Sequence, residues 1–164
     1  MTRLSSKVPS PSVERLKGEA QRLFANRGID GVTVRDIAKA AGQKNPAAVG
    51  YHFGSKEALI RELIVDGAKI IDARRNAQLD ALEADGGPTR ISQIVDILIY
   101  PSVNLAADGE TDTYNRFLHM LTMSHRALFD DALEGRWNSG YQRCLEHLSL
   151  MIQAQSRTIQ NHRF

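Results

Sequence analysis

The chain has one cysteine, Cys144, in 164 residues, which excludes an internal disulfide and a thiolate metal cluster. That scarcity fits a reducing compartment. No run approaches the roughly 18 consecutive apolar residues a membrane helix needs, and the polar stretch Met1 to Pro11 has no apolar segment of the kind that directs export. A soluble protein that is not exported and has no membrane partner is expected. Internal repeats, low-complexity tracts and the sustained apolar/polar alternation of strands are also missing. What remains is a globular balance, 42% hydrophobic and 24% charged, in a chain long enough to hide roughly 70% of its extended surface.

Net charge is almost absent too, at +2, but its distribution is uneven. Residues 1–56 carry ten Lys/Arg against four acids, a net of +6, so the remaining 108 residues net −4. A basic first third on an acidic body fits a polyanion-binding head, although a charge excess is also what an ordinary solvated surface looks like.

Turn and cap signals divide the chain into helices. Ser10-Pro11 opens a helix over about 11–27 with Val13, Leu16, Ala20, Leu23 and Phe24 on one face and Gly28 at its end. Within it Gly18 costs about 1 kcal/mol relative to alanine, and a close helix crossing would account for it. Thr33 caps a second, short helix in a capping box with Asp36, stopped by Gly42. Asn45-Pro46 opens a third from Pro46 to about His52, ended by Gly54. Ser55 then caps a long fourth helix reaching about Leu82, before Asp85-Gly86-Gly87-Pro88. A fifth carries Ile91, Ile94, Val95 and Leu98 and is kinked or ended by Pro101. After a turn at Asp108-Gly109-Glu110, a sixth carries Tyr114 through Leu128 and Phe129, and a seventh starts near Asp131.

Three short helices within about 45 residues, the second and third separated by a glycine turn, have the geometry of a helix-turn-helix. The third would enter a DNA major groove. Ala47, Ala48 and Gly50 allow close backbone approach, while Lys44, Asn45, Tyr51 and His52 reach phosphates or base edges. Free amides near Thr33 and Ser55 can receive phosphate oxygens, with Lys56 adding charge. Phe53 is assigned to the core. For Arg35 the bland alternative is a surface pair with Asp36 or Glu14.

The runs Leu23-Phe24-Ala25-Asn26-Arg27-Gly28, Thr33 to Gly42 (TVRDIAKAAG) and Tyr51 to Leu59 (YHFGSKEAL) together resemble the N-terminal domain of the TetR family of transcriptional regulators, over about residues 12–72. The resemblance implies an all-α homodimer. Each chain would have a three-helix helix-turn-helix head, 11–56, joined by a long helix to a helical ligand and dimerisation domain within 57–164. It implies a cytoplasmic repressor of a double-stranded operator, released by a small-molecule effector, and not an enzyme. It also implies roles for single residues: Thr33 as a phosphate contact, Arg35 as a base-reading arginine, Tyr51 and His52 at the polar end of the recognition helix, and Lys56 anchoring the fourth helix to the DNA backbone. Replacing Tyr51 or Lys56 by alanine is then expected to weaken DNA binding and leave the melting temperature nearly unchanged. The chain is shorter than the family pattern, and the polar tail after Ile152 is not expected to supply the last two helices, which usually form the dimer interface.

In the second part, Phe117 and His125 on the sixth helix and Trp137 and Tyr141 on the seventh are candidate walls of a ligand pocket. For His125 the alternative is a core histidine satisfied by a carbonyl. His119, His125 and His147 lack metal-ligand spacing, so no metal and no cofactor is assigned, and Cys144 reads as a small buried hydrophobe. The competing classes are a protein-interaction module and a small helical enzyme. Against the enzyme, the chain has no nucleophile elbow, zinc motif or phosphate-binding glycine loop.

Overall fold

The structure, a computed structural model, describes residues 10–103, 105 and 113–161, with only the backbone given for 154–161. The described residues form α-helices and no strand: α1 (Pro11–Arg27), α2 (Val34–Ala40), α3 (Ala48–Phe53), α4 (Lys56–Ala84), α5 (Ile91–Ile99), α6 (Thr113–Ser124), α7 (Arg126–Leu133) and α8 (Ser139–Asn161). This is the all-α class the periodicity predicts. None of the described helices is long and apolar enough to cross a membrane. The turn expected at Asp108-Gly109-Glu110 lies outside the described residues.

Packing divides the chain into two units, 1–64 with 113–129 and 65–112 with 130–164. α6 lies on α1 within the first unit. Within the first unit, Leu16, Phe24, Ile37, Val49, Leu59, Ile60, Ile64, Phe117 and Leu121 are fully or almost fully buried. Phe117 meets Phe24 at a ring separation of 6.0 Å and Tyr114 at 6.2 Å, and the Tyr114 hydroxyl donates to the Ile64 carbonyl at 2.9 Å. Caps fix the helix ends. The Val13 amide donates to the Ser10 hydroxyl, and Gly28 takes a φ of 73° as its amide returns to the Phe24 carbonyl.

Gly18 is not at a helix crossing. A β-carbon built there meets nothing within 4 Å, so the position carries the entropic cost of glycine with no packing gain. Gly18→Ala is expected to raise stability by about 1 kcal/mol in chemical denaturation, and a loss of stability would show that α1 needs the glycine.

In the second unit, Leu79, Ile94, Ile97 and Cys144 form a buried cluster flanked by Leu82, Leu98, Leu148 and Met151. Burial pushes the Cys144 thiol up, which disfavours the reactive thiolate. The start of α8 is tied to α4 by Asp72, a buried carboxylate that accepts the Gly140 amide at 2.7 Å and the Ser139 hydroxyl at 2.9 Å. It caps that helix from outside and complements its dipole. The approach is close enough that a β-carbon on Gly140 would lie 2.6 Å from the Arg75 β-carbon. Further along, Arg143 spans Asp80 and Glu83 at 2.8 Å each, and His147 meets Glu83 at 2.9 Å. His147 and Arg143 together hold the Glu83 carboxyl below its usual range.

Two segments differ from the sequence expectation. The long stripe from Tyr114 to Phe129 is two helices, not one. The chain breaks at His125, whose carbonyl accepts the Leu128 and Phe129 amides at the start of α7. The expected seventh helix starts at Ser139 rather than Asp131, after a turn in which Glu134, Gly135 and Trp137 all have positive φ. The backbone after Ile152 stays helical to Asn161.

Candidate nucleic-acid interface

The second and third helices are held by short-range chemistry that leaves one polar face open. At the α2 start the Thr33 hydroxyl donates to Asp36 at 2.6 Å, the Thr33 amide donates to the same carboxylate at 2.9 Å, and the Asp36 amide donates back to the hydroxyl. The Thr33 hydroxyl, then its amide, hold the Asp36 carboxyl below its usual range. Engaged this way, Asp36 does not neutralise its neighbour. Arg35 is exposed and has no hydrogen bond or ion pair among the described residues, so the surface pair with Asp36 or Glu14 does not form.

The turn into α3 uses Gly42 at a φ of 66°, with the Gln43 amide bonded to the Ala38 carbonyl and the Gln43 side chain reaching Ser12 on α1 at 2.9 Å. The Asn45 side chain accepts the Ala47 amide at 2.9 Å, an Asx turn that delays the helix: α3 begins at Ala48, not Pro46. On α3 the faces separate cleanly. Ala48, Val49 and Phe53 are buried, whereas Ala47, Gly50 and Tyr51 are exposed at spacings of three and four, with His52 beside them. Tyr51 is 83% exposed, and its ring meets His52 edge-on at 4.9 Å. Ala48 therefore packs the core and is removed from the expected groove face.

Lys56 is engaged within the head. Its ammonium donates to the carbonyls of Ile29 at 2.7 Å and Val32 at 2.8 Å and lies 5.9 Å from the centre of the Phe24 ring. Two of its three protons are therefore used to close the α1–α2 turn. The remaining expected residues, Thr33, Arg35, Lys44, Asn45, Ala47, Gly50, Tyr51 and His52, are all exposed on α2, α3 and the turn between them. Lys39 adds a further exposed cation on α2 that helical spacing alone did not single out.

The four candidate ligand residues are each engaged within their own unit. Phe117 and His125 belong to the first unit, Trp137 and Tyr141 to the second. Phe117 is core, and His125 places its Nε2 3.0 Å from Asp30. Trp137 lies under the Lys69 ammonium at 5.0 Å, and Tyr141 lies 5.9 Å from the Arg75 guanidinium, so both rings brace α4 cations within their own unit. Asp72, the buried carboxylate at α8, was not singled out in the sequence; an acid directly after Ile70 and Ile71 was the available signal.

Comparison with known proteins agrees with this geometry. Residues 18–63 match the family described as bacterial regulatory proteins, tetR family. No curated protein matches the chain. Among solved structures, a putative tetR family transcription regulator from Shewanella sp. PV-4 superposes with a TM-score of 0.58 at 17% identity, covering 90% of this chain and 72% of that one. The TetR family transcriptional regulator PfmR from Thermus thermophilus gives 0.55 at 20% identity, covering 81% and 69%. The chain thus has the TetR-regulator fold, and its residues 18–63 carry the signature of that family.

Proposed function

We propose that the chain is a DNA-binding transcriptional regulator whose head enters the major groove with the exposed face of α3. The observation that carries this reading is the separation on α3: Ala48, Val49 and Phe53 inward, Ala47, Gly50, Tyr51 and His52 outward. Small groups at Ala47 and Gly50 permit close approach, and Tyr51 and His52 supply hydrogen bonds. Around them, Arg35 and Lys44 carry exposed charge for the duplex, with no ion pair among the described residues, and the Thr33 end of α2 offers amides to a phosphate.

The finer reading rests on the family signature. We propose a cytoplasmic repressor that acts as a homodimer, its two heads in successive major grooves about 34–36 Å apart. Tyr141, Leu145, Leu150 and Ile152 leave α8 apolar toward solvent, which supports a second copy there. An effector would release the DNA by binding more tightly to the conformer whose heads no longer match that spacing. The test is duplex binding against salt. Affinity should fall steeply with rising salt, and Arg35→Ala should lower it; weak, salt-insensitive association would favour a protein-interaction module.

A further inference from the structure

The seam between α1 and α6 holds a cleft that none of the DNA-contacting residues uses. Gln21 donates to the Thr113 hydroxyl at 2.7 Å at one end, and Met120 closes on Gly28 at the other, where a β-carbon would meet its methyl at 3.3 Å. Between these ties the surfaces part, leaving about 310 Å³ lined by Ala25, Asn115, Arg116, His119 and Met120. Its size is at the small end of the ligand-pocket range.

The lining has two characters. Ala25 and Met120 give an apolar floor, and Arg116 and His119, three residues apart on α6, stand exposed at the rim. Neither side chain has a carboxylate partner among the described residues. A guanidinium beside an apolar recess complements an anion with a compact apolar body.

We infer that this cleft is a binding site for a small apolar carboxylate, held by Arg116 and His119 with its body against Ala25 and Met120. The guanidinium fork suits a carboxylate better than a point charge would, and the floor gives the apolar part a reason to leave water. The site lies within the unit that contains α2 and α3, so binding there stabilises the packing that supports the head.

The test is a titration of the full chain with sodium benzoate, followed by amide chemical shifts. Saturable shifts centred on Ala25, Arg116, His119 and Met120 are expected, with sodium acetate and benzyl alcohol, which each lack one half of the recognition, binding far more weakly. Arg116→Ala, an exposed change to a better helix former, should weaken benzoate about tenfold while leaving the melting temperature unchanged. Non-saturating shifts, shifts centred elsewhere, equal binding of benzyl alcohol, or full benzoate affinity in Arg116→Ala would overturn the assignment.

Discussion

Phe117→Ala is expected to destabilise the chain by about 3–5 kcal/mol, the range for truncating a fully buried phenylalanine. Phe117 has no solvent exposure and sits between Phe24 and Tyr114, so its loss leaves a cavity whose walls come from α1 and α6. Total stability is typically about 5–15 kcal/mol, so this one change removes a large share of it. Thermal melting should show a drop of about 10 °C or more. A side chain lining a ligand pocket, the role its place in the sequence allowed, would leave the melting point nearly unchanged on truncation. That outcome would return Phe117 to the set of ligand contacts.

Lys56→Met is expected to cost about 2–3 kcal/mol, because it keeps the apolar stem and deletes both hydrogen bonds to the carbonyls of Ile29 and Val32. Those carbonyls belong to the turn that delivers Thr33 to the start of α2, with Ile29 and Val32 themselves buried beneath it. Amide exchange at residues 29–32 should accelerate together with the fall in stability. Any loss of DNA affinity in this variant would follow from the loosened turn. An unchanged melting temperature with weakened DNA binding would instead restore the phosphate contact that the sequence pattern implies for Lys56.

These two residues show where sequence reasoning works and where it stops. Ends marked by local chemistry were legible: Ser10-Pro11 and Gly28 bound α1, and the Thr33-Asp36 box starts α2, because caps involve neighbours in the chain. The exposed residues of the helix-turn-helix were legible for the same reason, with Ala48 the exception. Helical spacing on a six-residue helix does not say which flank meets α1 and α2, and Ala48 is as small as the groove requires. Partners fixed only by the tertiary fold could not be read. The carbonyls that take Lys56 lie 24 and 27 residues away, and Asp30 lies 95 residues from His125. The break at His125 was hidden because Leu121, Leu128 and Phe129 continue the apolar pattern without a glycine or proline between them. The later break had a signal: Gly135 follows Leu133 and Glu134 as a helix stop does, in a turn where Trp137 also has positive φ.

The central claim is that the outward face of α3 reads DNA. Tyr51 tests it most directly, since it is the most exposed large side chain of that face and its ring lies against His52 rather than in the core. Fluorescence anisotropy on a duplex selected from random sequence by the wild-type chain should show Tyr51→Ala binding about tenfold or more weakly, the loss expected for one good contact, with an unaltered melting temperature. Undiminished affinity in Tyr51→Ala, or a wild-type chain that retains no duplex even at low salt, would contradict it.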